Sequence, residues 1–170
     1  MRKLVFAVIM AFACSLAAQE AHISASYTHN GDLHGGTVQS FLSQFKTSNI
    51  GGVDIGLSAK VAGPFGLAFD GNWSHSPEQQ QFLFLAGPEL SARGKNVRVF
   101  GHALIGGGYA THKLISVVAL ADSSFAYALG GGVERYWGHV GLRTAADYIY
   151  TNGHASEHNA RITGGIAFRW

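Results

Sequence analysis

The sequence predicts an all-β chain: an eight-stranded antiparallel transmembrane β-barrel with up-and-down order, preceded by a cleaved signal peptide. Three observations predict it. Eight segments alternate apolar residues with small or polar ones, the connections between them alternate in length, and the composition is charge-poor and glycine-rich. Of 170 residues, 23 are glycine, 47% are hydrophobic and only 13% are charged. This composition is too apolar for a disordered chain and too poor in Leu, Lys and Glu for a helical bundle.

The N-terminus has the pattern of an export signal. Arg2 and Lys3 form a short positive region, and the apolar run Leu4–Ala13 is followed by small residues. A helix of this length spans about 15 Å, half of a bilayer core, so the run is too short to cross a membrane. We therefore expect a signal peptide at residues 1–18 and a barrel domain at residues 19–170.

Removal of this signal changes the charge balance. The full chain has 12 Lys+Arg and 10 Asp+Glu, and Arg2 and Lys3 leave with the signal. The mature chain then has no formal net charge, so we expect no nucleic-acid partner, which would require a basic face. The chain's one cysteine, Cys14, lies in the same segment, so no disulfide is expected. One alternative stays open, in which Cys14 is the lipid-modified cysteine of a lipoprotein signal.

The rest of the chain is a series of segments with a period of two. In Gly52–Val61, for example, Val53 and Ile55 fall on one parity, whereas Asp54 and Ser58 fall on the other. This alternation is typical of strands, and strands that cross a membrane need about 9–11 residues. The predicted strands are His22–His29, Gly52–Val61, Phe65–Trp73, Gln80–Ser91, Val97–Thr111, Ser124–Tyr136, His139–Tyr150 and Arg161–Trp170.

The connections between these strands alternate in length. Those after the second, fourth and sixth strands are tight, at Ala62–Pro64, Gly94–Lys95 and Trp137–Gly138. The others are longer, at Asn30–Asn49, His75–Gln79, His112–Asp122 and Asn152–Glu157. Short turns at one end and longer loops at the other are the plan of a transmembrane barrel, with the turns in the periplasm and the loops outside the cell.

The two faces of the strands decide which solvent the barrel meets. The face assigned outward carries large apolar residues, whereas the opposite face carries small or charged ones. A soluble barrel would invert this arrangement, and an apolar belt of this size would aggregate in water. In a bilayer the belt faces lipid, and closure pairs every strand edge. The outward residues include Val53, Ile55, Phe69, Trp73, Tyr127, Leu142, Tyr148, Phe168 and Trp170.

Two runs of glycine, Gly106–Gly108 and Gly130–Gly132, lie inside predicted strands, where glycine is usually unfavourable. A phosphate cradle is one interpretation, but no nucleotide motif surrounds these runs and no helix follows them. The lumen of an eight-stranded barrel is only wide enough for side chains. We therefore favour strand curvature or close packing inside the barrel.

The segments Phe125–Glu134, Arg143–Thr151 and Arg161–Trp170 carry a family resemblance. The chain resembles the small outer-membrane β-barrels of Gram-negative bacteria, the OmpA transmembrane domain, OmpX and Ail group. This resemblance implies a monomer in the cell outer membrane, in contact with outer-membrane lipids and lipopolysaccharide. It also implies that the barrel assembly machinery reads a terminal insertion signal, formed by Ile162, Ile166, Phe168 and Trp170.

Ten charged residues fall on the inward parity, five acids and five bases. Buried charges must be paired, because an unpaired one is very costly. We therefore expect a structural salt-bridge network that fills the lumen; the alternative is a gate or a narrow ion path through rearranged pairs. The ten residues are Asp54, Lys60, Asp70, Glu89, Arg98, Glu134, Arg143, Asp147, Arg161 and Arg169.

Histidines in or beside the loops suggest a surface metal site or a pH response, but no strict ligand spacing supports a metal. They are His29, His34, His75, His112, His154 and His158. His154-Ala155-Ser156 also suggests the His-x-Ser pair of an outer-membrane lipid A deacylase family. No acid follows at that family's spacing, so we expect no enzyme. We also expect neither a metal nor a cofactor.

The sequence therefore favours an outer-membrane barrel with a structural or surface-interaction role through its external loops. The long first loop, Asn30–Asn49, is one candidate for surface binding. A narrow porin-like channel is the alternative function, and a lipid-modifying enzyme is the less favoured one.

Overall fold

The computed structural model describes residues 19–30, 49–75, 79–113, 119–152 and 156–170. The expected signal peptide, Cys14 and most of the first loop lie outside these residues. The strands are β1 (Glu20–Asn30), β2 (Asn49–Ala62), β3 (Phe65–His75), β4 (Gln79–Arg93), β5 (Val97–Lys113), β6 (Ala119–Trp137), β7 (Val140–Asn152) and β8 (Ser156–Arg169). None of the described residues forms a helix long and apolar enough to span a bilayer.

Each strand pairs antiparallel with the next one, and β8 pairs with β1 to close the barrel. Glu20 illustrates the closure, because it lies opposite Ser58 of β2 on one side and Arg169 of β8 on the other. The predicted fold class, an eight-stranded antiparallel barrel with meander order, is confirmed.

The strands are longer than the side-chain alternation predicts. Part of the predicted loop His112–Asp122 is strand, since β5 continues to Lys113 and β6 begins at Ala119, opposite it. Likewise β8 begins at Ser156 and β1 at Glu20. Backbone pairing with a neighbouring strand extends these elements through residues whose side chains do not alternate.

The two ends of the barrel differ. We call the end with the start of β1, the end of β8 and the connections at residues 63–64, 94–96 and 138–139 the short-turn end, and the opposite one the loop end. Gly63 (φ 55°) and Gly138 (φ 71°) lie in short turns, and such positive φ values are adopted most readily by glycine and next by asparagine.

The faces alternate as the sequence predicts. Burial along β7 follows a strict period of two, with inward residues buried and outward residues exposed. Large apolar side chains stand on the outer surface, among them Phe84 (67% exposed), Ile105 (62%) and Ile162 (61%). The interior is filled rather than hollow: part of it is apolar, formed by Ala68, Leu83, Leu85, Leu104, Ala126, Ala128 and Ile149.

Candidate functional site in the barrel lumen

Eight of the ten charged residues predicted to point inward are buried in the lumen, and they form two clusters. These eight are Asp54, Asp70, Glu89, Arg98, Glu134, Arg143, Asp147 and Arg161, each at most 7% exposed. Lys60 and Arg169 are not among them. Lys60 is exposed and Arg169 half-buried, and both lie near the short-turn end of their strands.

The first cluster, the Arg161 cluster, lies in the middle of the barrel. The Arg161 guanidinium of β8 donates from Nη1 to Asp54 Oδ2 and Asp70 Oδ1, both at 2.9 Å. Its Nη2 donates to Asp147 Oδ2 at 2.7 Å and its Nε donates to the same oxygen at 3.0 Å. One cation therefore joins carboxylates from β2, β3 and β7.

Two buried histidines complete the Arg161 cluster. His22 Nε2 lies 3.0 Å from Asp54 Oδ1, and His102 Nε2 lies 2.9 Å from Asp147 Oδ1. With neutral imidazoles the cluster has three carboxylates against one guanidinium. Each histidine contacts the Oδ1 atom of an aspartate whose Oδ2 atom accepts from Arg161.

Part of the Arg161 cluster has the chemistry of a metal site. Donor atoms of His22, Asp54 and Asp70 lie within 4.8 Å of one another. However, Arg161 Nη1 already donates to both carboxylates. The guanidinium thus acts as the cation of this site, and a metal ion would have to displace it.

The second cluster, the Arg98 cluster, lies toward the short-turn end. Arg98 Nη1 donates to Glu134 Oε2 at 2.8 Å, and its Nη2 donates to Glu89. Glu134 also accepts from Arg143 Nη1 at 2.5 Å and from the Tyr136 hydroxyl at 2.8 Å. Glu134 thus receives three donors from three side chains, which makes it the central acceptor of the cluster.

Glu20 closes the Arg98 cluster at the barrel seam. Its Oε2 lies 2.9 Å from Arg98 Nη1. The two atoms form an ion pair without the geometry of a hydrogen bond. Its Oε1 lies 2.9 Å from Nη2 of Arg93, which is partly exposed at the rim. The first residue of β1 therefore links the network to the end of β4.

One aromatic ring contacts both arginines of the Arg98 cluster. The guanidinium carbons of Arg98 and Arg143 lie 5.0 Å and 4.1 Å from the centre of the buried Phe100 ring. Cation–π attraction of this kind contributes about 2 kcal/mol when the partners are desolvated. Phe100 thus adds to the stabilisation of two buried cations that also share Glu134.

Glycines on the inward face provide the space for these groups. A Cβ at Gly56 would overlap the His22 ring, and one at Gly130 would overlap Asp147 Oδ1. Gly130 of β6 lies between His102 of β5 and Asp147 of β7 in the strand register. The His102–Asp147 contact therefore passes over a residue that has no side chain.

Replacing Gly130 with alanine is expected to lower the free energy of unfolding by about 1–3 kcal/mol, because overpacking a filled interior costs that much. Urea unfolding in lipid vesicles, followed by tryptophan fluorescence, measures the change. Gly101→Ala is the matched control, since its new Cβ would lie 3.6 Å from the nearest atom, an ordinary contact. Equal urea midpoints for the two variants would contradict the packing argument.

Sequence reasoning missed four members of the lumen network: Glu20, His22, His102 and Tyr136. Strand parity was the signal that could have found His22 and His102, since both have inward parity. Glu20 precedes the predicted first strand, and Tyr136 is aromatic, so neither belonged to the predicted set of inward charges.

The loop-associated histidines are dispersed. His158 Nδ1 contacts the Tyr148 hydroxyl on the outer face, His75 is exposed and His29 is buried. His34, His154 and the side chain of His112 lie outside the described part of the chain. His154-Ala155 also lies outside the described residues, so the His-x-Ser hypothesis is untested.

Comparisons with known proteins place this geometry. No family model and no curated protein matches the chain. Neisserial surface protein A has a similar structure, with a TM-score of 0.69 at 10% identity, over 89% of this chain and 96% of that one. The N-terminal barrel of Pseudomonas aeruginosa OprF gives 0.57 at 14% identity, over 89% and 98%. Ail, the attachment invasion locus protein of Yersinia pestis, gives 0.56 at 15% identity, over 90% and 99%.

At these identities the likeness establishes the fold. The resemblance predicted from the sequence is therefore confirmed for the fold. The predicted outer-membrane location agrees with these neighbours and with the exposed apolar belt. The chain has the fold of the small eight-stranded outer-membrane β-barrels.

Proposed function

We propose that this chain is an outer-membrane barrel with a sealed lumen, and that it acts by binding partners outside the cell through its loop end. The observation that carries the proposal is the buried ion-pair network, which occupies the interior. When paired charges fill the interior of a barrel, only its ends and its lipid-facing surface are left for contact with other molecules. The outer-membrane neighbours include one named as a surface protein and one named for attachment and invasion, which supports this role.

The ion-pair geometry argues against an open pore. Arg161 of β8 reaches Asp54 of β2 and Asp70 of β3, so it crosses the lumen. Arg98 of β5 likewise reaches Glu20 of β1. Removing one partner of a buried ion pair costs about 3–5 kcal/mol. An ion path would require several such contacts to break together, so the porin-like alternative is disfavoured.

The β5–β6 hairpin supports a role in surface binding. β7 ends at Asn152, which pairs with Phe125, whereas β6 begins at Ala119, opposite Lys113. Within the described part of the chain, no strand lies beside the β7-facing edge of residues 119–124. An open strand edge can bind an extended peptide as an additional strand.

Planar bilayers test the sealed lumen. We expect the purified barrel to give no stepwise conductance, because the two clusters occupy the interior. Arg143→Met is the informative variant, since Arg143 lines the lumen. Arg135→Met, on the outer face, is its control. Steps from the wild-type barrel that disappear in Arg143→Met but persist in Arg135→Met would replace this proposal with the channel.

A deletion strain tests the binding role. We expect it to adhere less to protein-coated glass than the parent, and complementation with the wild-type chain to restore adhesion. A chain with residues 110–122 replaced by Asn-Gly should insert but fail to restore adhesion. Gly63→Asn, a change at the short-turn end, should restore it fully. Full adhesion with the shortened hairpin would refute a role for that hairpin, and full adhesion of the deletion strain would refute the binding role.

A further inference from the structure

The lipid-facing surface of strands β2 to β5 carries a groove of about 670 Å³. Its floor is formed by two small residues on adjacent strands, Gly71 of β3 and Ala86 of β4. Its walls include Ile55, Trp73, Phe84 and Ile105, which are 48–67% exposed. Every described residue that lines it lies on a strand.

The strand register explains why a groove forms there. Gly71 lies between Ile55 of β2 and Phe84 of β4. Along its own strand the next outward residues are Phe69 and Trp73, so four large apolar side chains surround a residue that has none. Trp73 is stacked on Phe82, with ring centres 6.1 Å apart, and this pair forms one end of the groove.

A second outward glycine shows that a missing side chain alone is not sufficient to form a groove. Gly164 of β8 lies between Thr144 of β7 and Ala25 of β1, both small. A Cβ at Gly164 would have no atom within 4 Å. The surface there is open, because the residues directly opposite Gly164 on both neighbouring strands are small.

The chemistry of the groove selects its occupant. The side chains that form its walls are apolar, while Asp70 and Asn72 of the same strand turn inward to Arg161 and Ser26. No water fills a void that faces hydrocarbon, and atoms that line an empty void lose dispersion contacts. A flexible hydrocarbon chain fits such a groove, whereas a phosphate or a sugar has no polar partner in it.

We propose that this groove binds one acyl chain of lipid A, the hydrocarbon part of lipopolysaccharide. The groove begins beside Trp73 and Phe82 near the loop end and runs toward the middle of the strands. The leaflet assignment rests on the proposed function, in which the loop end faces outward and the neighbouring leaflet contains lipopolysaccharide. The groove is also continuous with the apolar belt that faces the membrane.

Tryptophan fluorescence can test this binding directly. The chain has 3 Trp, so Trp137→Phe with Trp170→Phe leaves Trp73 as the only reporter. In vesicles of dibrominated phosphatidylcholine, bromine atoms in the groove quench Trp73. Hexa-acylated lipid A, titrated into these vesicles, should restore the fluorescence at a several-fold lower mole fraction than unbrominated phosphatidylcholine does.

Two matched variants identify the site. Gly71→Phe should abolish the preference for lipid A, since its Cβ would lie at an ordinary contact distance of 3.6 Å from the nearest atom and its ring would extend into the groove. Gly164→Phe adds the same ring elsewhere on the lipid face and should retain the preference. Equal competition by the two lipids, or the same behaviour of both variants, would overturn the proposal. Recovery that varies with protein concentration would also overturn it, by indicating a second copy of the chain as the occupant.

Failure of this test is distinguishable from failure of the proposed function. The groove variants leave the loop end unchanged, so they should adhere like the wild type in the deletion strain. The hairpin variant leaves the groove intact and should retain the lipid A preference.

Discussion

Replacing Arg161 with methionine is expected to be the most damaging single substitution in the lumen. The change leaves the buried Asp54, Asp70 and Asp147 without the cation that joins them. Removing one partner of a buried ion pair costs about 3–5 kcal/mol, and here three carboxylates lose the same partner. We expect the variant not to form a heat-modifiable barrel on gels, or to unfold at a much lower urea concentration.

Two further variants make this expectation specific to charge pairing. Arg135→Met removes the same charge from the outer face, where Arg135 is exposed, and should change the unfolding free energy little. In the Arg161→Met background, Asp54→Asn with Asp147→Asn removes two of the three uncompensated charges and should restore part of the loss. A wild-type urea midpoint for Arg161→Met, or no recovery in the triple variant, would show that this network does not stabilise the barrel.

Replacing Glu134 with glutamine should have the second largest effect. Glu134 accepts from Arg98, Arg143 and Tyr136, and glutamine keeps the shape of the side chain while removing its charge. Among the described residues, Arg143 has no other carboxylate partner, so the variant leaves a buried guanidinium unpaired. We expect a loss of about 3 kcal/mol in the free energy of unfolding, measured by urea titration in vesicles.

Glu89→Gln is the control for Glu134→Gln, because it makes the same change of side chain in the same cluster. Glu89 pairs with Arg98 and accepts from Ser58 at 3.3 Å, but Arg98 also keeps Glu20 and Glu134. We therefore expect a smaller loss than at Glu134. A double-mutant cycle with Arg143→Met should give a large coupling energy with Glu134→Gln and a small one with Glu89→Gln. The reverse order would contradict the assignment of Glu134 as the central acceptor.

The sequence predicted the strands and their faces because both are local properties. Alternation within about ten residues sets the parity of Val53 and Asp54 without reference to any other strand. The number of strands and the meander order followed from the same patterns and from connections such as Trp137–Gly138. A short turn can join only neighbouring antiparallel strands.

The ion-pair partners could not be predicted because they depend on depth and on strands that are not neighbours. Parity puts Lys60 and Arg169 on the inward face, but it does not show that they lie at the end of the barrel. His102 reaches Asp147 across β6, and this contact depends on the missing side chain of Gly130. Such pairs follow from barrel width and strand stagger, which no local pattern contains.

The seam between β1 and β8 has a consequence for the order of assembly. Glu20 lies opposite Arg169, so the first and last described strands complete each other only after nearly the whole chain has been made. Until then both strand edges carry unpaired backbone groups, which hydrocarbon does not tolerate. Pairing between such distant segments is also slow. A chain that ends before β8 therefore has two open edges rather than most of a barrel, and membrane insertion and ring closure are expected to occur as a single event.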